Sequence, residues 1–121
     1  MQICVAGAAA GNGKGEANEL RAIECANDLT AAQLIRTLEN SRYHVPQDIR
    51  VVGFDDARYA TLVSVPLTTI QQPCKDMATT AFQTMLSRIA EPTLPARNIM
   101  LPPRLVVRES CGAYLPKTAA P

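Results

Sequence analysis

The sequence predicts an α/β domain, and three observations carry that prediction. Short apolar runs lie at 22–26, 49–54 and 67–70, the last two rich in β-branched residues. Between and after them, apolar residues recur at helical period. Asn-Asp, Asp-Asp and Pro mark the joints between the two kinds of segment.

Residues 1–20 form a start of low information, because Ala6 to Gly15 is almost all Ala and Gly before a polar patch at Glu16 to Glu19. Ala22-Ile23-Glu24-Cys25-Ala26 is the first strand candidate, and Asn27-Asp28 offers side-chain oxygens to cap a helix. That helix carries Ala31, Leu34, Ile35 and Leu38 on one face and stops near Asn40. Pro46 forbids its continuation. Ile49 to Phe54 is then a strand ending in Asp55-Asp56, so strand, helix and strand make a βαβ unit. Leu67 to Ile70 is another short strand. Pro73 suits the first turn of a second helix, along which Ala78, Ala81, Phe82, Met85, Leu86 and Ile89 keep helical period until Pro92. Ile99-Met100-Leu101 and Leu105-Val106-Val107 read as strands around Pro102-Pro103.

Composition narrows the function classes. The chain has 121 residues, 47% hydrophobic and 19% charged, which fits one globular domain and excludes a disordered tail. A net charge of +1 leaves no basic patch to grip a phosphate backbone, so free-standing DNA binding is not expected. Cys4, Cys25, Cys74 and Cys111 lack a CxxC pair and a nearby His, so neither a zinc site nor any other metal is expected. The start has no secretory pattern, which points to four reduced thiols and a cytoplasmic location.

In open α/β sheets, ligands bind beyond the carboxyl ends of the parallel strands. Asn27-Asp28 and Asp55-Asp56 both end predicted strands there. Carboxylates beside an amide suit a hydroxyl-rich ligand, although the same residues serve equally as a helix cap and a turn. Other chemistries fail in detail. The run from Gly7 to Gly15 imitates a phosphate-binding loop, but Ala8 stands in its first Gly position and Gly15 replaces the magnesium-holding hydroxyl. The single His44 has no nucleophile placed near it, so no catalytic residue, no enzyme activity and no cofactor is expected.

Four runs then carry a resemblance: Cys25-Ala26-Asn27-Asp28; Val45 to Asp56; Pro66-Leu67-Thr68-Thr69-Ile70-Gln71-Gln72-Pro73; and Pro103 to Ser110. In order and spacing, over about residues 21–113, they closely resemble the lactose-repressor-type (LacI/GalR) family of bacterial transcription regulators. The resemblance implies part of a periplasmic-binding-protein-like fold: the βαβ unit of the C-terminal lobe, plus a helix and strands that cross to and from the N-terminal lobe. It divides the chain into a start at 1–20 unlike the family, the C-terminal part of a sugar-effector-binding domain at 21–113, and a flexible tail at 114–121.

On the same resemblance, Asn27 and Asp55 match effector contacts and Gln72 lines the hinge. Ile35, Arg36, Tyr59, Leu62 and Val63 match a dimer interface. The implied partners are a sugar or sugar acid, a second copy of the chain, and operator DNA through a helix-turn-helix headpiece that this sequence does not match. The expectation is a truncated, interrupted or frameshifted regulator gene; the alternative is a dimerisation remnant that binds no effector. Two departures stand out. Glu24 places a charge where the family has an apolar residue, which is costly if buried unpaired. Arg42 replaces a helix-ending Gly, which costs about 1–2 kcal/mol if that position stays left-handed.

Overall fold

The computed structural model describes residues 4–7 and 22–116. Its elements run β1 (Cys4–Gly7), β2 (Ala22–Cys25), α1 (Asp28–Asn40), β3 (Arg50–Phe54), a 3-10 turn at Arg58–Thr61, β4 (Thr68–Gln71), α2 (Cys74–Ala90) and β5 (Arg104–Val106). The strands form one five-stranded sheet in the order β1-β2-β3-β4-β5. The central strands β2, β3 and β4 are parallel, and β1 and β5 flank them antiparallel. The predicted βαβ unit is therefore β2-α1-β3. The run from Gly7 to Gly15 lies beyond Gly7 outside the described residues, as does the tail from 117 onward.

Alternation sets the faces of β2: Ile23 and Cys25 are buried and Glu24 is exposed between them. Glu24 thus keeps its water, and the penalty for a buried charge does not arise. Ala31 and Ile35 of α1 pack on the buried face of the sheet with Val45, Val51, Ala60 and Leu67, and Leu34 and Leu38 close the rim. Side chains such as Ile35 and Leu67, 1% and 0% exposed, each contribute about 2 kcal/mol by leaving water.

The end of α1 answers the question posed by Arg42. The Tyr43 amide returns to the Leu38 carbonyl at 3.0 Å and the Arg42 amide to Glu39 at 3.0 Å, a Schellman-type closure. Arg42 sits at φ +64, so an arginine holds the left-handed position that favours glycine.

Two expectations need correction. Residues 99–101 form no strand. Pro102 and Pro103 break the run, Met100 is 90% exposed, and the edge of β4 is already taken by Arg104–Val106. Conversely, Cys4–Gly7, within the start read as uninformative, adds an antiparallel strand beside β2. The second helix, capped by Pro73, has no buried residue, and Phe82, Met85, Leu86 and Ile89 all face solvent.

Arg42→Gly is expected to stabilise the chain by about 1 kcal/mol in urea unfolding, since it removes a side chain from a left-handed residue. Gly53→Ala is expected to cost about 3 kcal/mol, because a Cβ there would overlap Asp28 Oδ1 and crowd Leu67. A neutral result in either melt contradicts the corresponding geometry.

Candidate functional site

The candidate site is the carboxyl edge of the parallel strands, where β2 runs into Asn27-Asp28 and β3 into Asp55-Asp56. Asn27 stands in extended conformation as the N-cap of α1, and its Oδ1 accepts the Thr30 amide at 2.8 Å. That bond uses one lone pair of a carboxamide that also carries two N–H donors.

Asp28, adjacent to it, is 0% exposed. Its Oδ2 accepts the Ala57 amide at 2.7 Å and its Oδ1 accepts the Thr69 hydroxyl at 2.5 Å. The space for this carboxylate exists because position 53 has no side chain.

After β3 the two aspartates diverge in role. Both adopt positive φ, +117 at Asp55 and +55 at Asp56, in the region that costs a residue with a Cβ energy. Asp56 turns inward. Its Oδ1 pairs with the Arg108 guanidinium at 2.6 Å, and its Oδ2 accepts from the Gln71 carboxamide at 2.7 Å. The pair is largely withdrawn from solvent, with side chains 13% and 18% exposed, and Arg108 also donates to the Leu67 carbonyl at 2.8 Å. Losing either partner would leave a poorly solvated charge, at about 3 kcal/mol. Asp55 turns outward, exposed, with Oδ1 accepting from Gln72 Nε2 at 2.7 Å. Asn27, Asp55 and Gln72 therefore share one edge, and Gln72 binds Asp55 directly.

The residues matched to a dimer interface scatter more. Ile35 belongs to the core instead: at 1% exposure it has no surface for a partner. Arg36 and Val63 line a shallow groove of about 380 Å³ with Ala32, Gln33, Glu39 and Ser64, and Ser64 Oγ donates to Glu39 Oε2 at 3.0 Å. Tyr59 and Leu62 lie nearby in sequence on the 3-10 turn and its cap, 39% and 81% exposed.

His44 sits in an exposed loop, where Asp48 Oδ2 accepts its amide at 2.7 Å and lies 3.1 Å from its Nδ1. The backbone amide, then the ring, hold the Asp48 carboxyl below the ordinary carboxylate value. Among the described residues, no group of His, Cys, Asp and Glu has metal-ligating geometry. Cys25 is buried, Cys74 exposed and Cys111 half-buried. No helix among these residues is long and apolar enough to cross a membrane.

Sequence reasoning missed four contributors: Asp28 beyond its capping role, Thr69, Arg108 and Ser110. The Ser110 hydroxyl, fully buried, donates to the Val51 carbonyl at 2.6 Å and accepts the Thr68 amide at 2.8 Å. Arg108 and Ser110 lie inside a run that carried the resemblance, but no local pattern reveals partners about 40 to 60 positions away.

A profile of the periplasmic binding protein-like domain family matches residues 3–111. The ribose operon repressor of Escherichia coli (strain K12) is 37% identical over 90 residues, covering 74% of this chain and 27% of the repressor. Among solved structures, the complex of the transcriptional regulator CelR with cellobiose aligns at a TM-score of 0.72 and 33% identity, over 76% of this chain and 28% of that one. The lac repressor dimer bound to operator and the anti-inducer ONPF aligns at 0.69 and 31%, over 77% and 32%. The chain spans about a quarter of the length of the curated relatives it matches.

The electrostatics of this edge give a probe. Partial burial pushes the Tyr59 phenol above its ordinary value of 10.0, and the negative charges of Asp28 and Asp55 push it further. Since the folded protein favours the neutral phenol, its folding weakens as pH rises through and beyond 10.0. In an ultraviolet titration, with Tyr59→Phe identifying the signal, Asp55→Asn is expected to lower the Tyr59 midpoint. An unmoved midpoint contradicts the proximity of the two side chains.

Proposed function

The chain belongs to the lactose-repressor-type (LacI) family of transcription regulators, within their periplasmic-binding-protein-like domain, and on that premise we propose that it supplies part of an effector pocket. The effector is a sugar or sugar acid. Asp55 accepts hydrogen bonds from its hydroxyls, Asn27 both donates and accepts, and Gln72, now bonded to Asp55, completes the set at the hinge. The reaction is binding alone: no residue of the site plays a catalytic part.

The observation that carries this reading is Asp55. A solvent-facing carboxylate held at φ +117 stands where the backbone favours glycine, and it points an acceptor outward beside Gln72. Two relatives add to it, one a ribose operon repressor and one solved with cellobiose. In the regulator, effector binding shifts the balance between two conformations with different operator affinity, and operator contact lies with a headpiece outside this sequence. The exposed Arg36, Tyr59 and Leu62, with the half-buried Val63, serve self-association into a dimer. If the chain instead acts as an interaction remnant, this surface is retained while Asp55 binds nothing. The protein works in the cytoplasm, where its DNA is.

Calorimetric titration of the chain with cellobiose, ribose, glucose and sugar acids tests this reading. At least one is expected to bind, and Asp55→Asn, which keeps the volume but removes the charge, is expected to weaken it by about one to two orders of magnitude. Heat with none of them, alongside intact self-association, favours the remnant. Superimposable isotherms for wild type and variant remove Asp55 from the site.

A further inference from the structure

Three consecutive amides after β3 are each held by a different partner. The Asp55 amide donates to the Ile70 carbonyl at 2.9 Å. The Asp56 amide donates to Thr69 Oγ1 at 3.3 Å, and the Ala57 amide to Asp28 Oδ2 at 2.7 Å. Thr69 and Asp28 are joined in turn, the hydroxyl donating to the carboxylate at 2.5 Å. A hydroxyl is the one small group that can accept from an amide and donate to a carboxylate at once, and a carboxylate accepts from two donors without offering one of its own.

Both side chains are 0% exposed, so neither reaches a ligand. Yet Asp28 follows Asn27 directly in the chain, and the amides it helps to hold, Asp56 through Thr69 and Ala57 directly, lie between and after the two left-handed residues 55 and 56. We propose that Asp28 and Thr69 are positioning residues of the effector site. Together they fix the exposed Asp55 carboxylate relative to Asn27, so that both side chains meet the same sugar. The proposal rests on the reading of Asn27 and Asp55 as effector contacts.

The geometry explains why the left-handed turn persists without glycine. Each such residue is disfavoured, and it survives only where its surroundings over-determine it. Cutting the Asp28–Thr69–Asp56 path therefore lets the turn relax, and the Asp55 carboxylate swings away from Gln72 before anything global unfolds.

Thr69→Val removes the hydroxyl with little change of shape, and Thr69→Ser retains it. In the full chain, two readouts are taken: calorimetry with cellobiose and ribose, and the NMR resonance of the Gln72 side-chain amide, which reports the bond to Asp55 without any sugar present. In Thr69→Val the Gln72 resonance is expected to move toward that of a solvated amide and sugar affinity to fall about tenfold or more. Thr69→Ser is expected to keep the resonance and to stay within about threefold of wild type, because the hydroxyl relay is intact. If Thr69→Val fails to fold, Thr69→Ala, which also lacks the hydroxyl but cannot overfill the site, carries the same expectation. Wild-type binding of sugar, with an unmoved Gln72 resonance and unchanged affinity in the hydroxyl-free variant, overturns the positioning role alone. Where the wild type binds another member of the panel of cellobiose, ribose, glucose and sugar acids, that ligand replaces the two in the affinity readout; binding of none of them overturns the effector reading and this proposal with it.

Discussion

A buried carboxylate sets the frame of this domain. Asp28 begins α1, fills the space that Gly53 leaves open on β3, takes the Thr69 hydroxyl of β4 and takes the Ala57 amide beyond β3. Three stretches distant in sequence thereby meet on one side chain. Burying a carboxylate is costly unless its lone pairs are occupied, and here a hydroxyl and an amide replace the lost water. The left-handed turn at 55 and 56, and with it the direction of the outward carboxylate, depends on that replacement.

A second network secures the far side of the same edge. Asp56, Arg108 and Gln71 connect the turn to β4 and to the end of β5, while Ser110 stitches β3 to β4 from within the core. Paired residues thus divide the labour: of the two aspartates and the two glutamines, Asp56 and Gln71 bond inward and Asp55 and Gln72 bond to one another at the surface. The division belongs to the left-handed turn at 55 and 56 rather than to strand alternation, because neither aspartate has extended backbone. It leaves one carboxylate and one carboxamide facing solvent beside the Asn27 cap, a set of groups suited to hydroxyls.

Much of this was legible in the sequence, and the rest was not for physical reasons. Periodicity located α1, because Ala31, Leu34, Ile35 and Leu38 must face the sheet, and β-branched runs located β3 and β4. The Asn27 cap followed from local chemistry, and Asn27, Asp55 and Gln72 entered as a set only through the family resemblance. Three readings went astray where partners decide the outcome. Ile99 to Leu101 has strand composition but no edge left to pair with. Cys4–Gly7 has little information of its own and becomes a strand beside β2. Ile35, matched to an interface, is consumed by the core of its own chain. The roles of Thr69, Arg108 and Ser110 arise from contacts across the fold, which no local pattern encodes.

The central claim is that Asp28 holds the turn beyond β3 rigidly enough to aim Asp55. Native-state hydrogen exchange at the Ala57 amide addresses this most directly, because that amide lies outside any strand and its protection depends on the bond to Asp28. The account predicts exchange as slow as that of the buried amides of β3 and β4. Exchange at the rate of a solvated loop would contradict it.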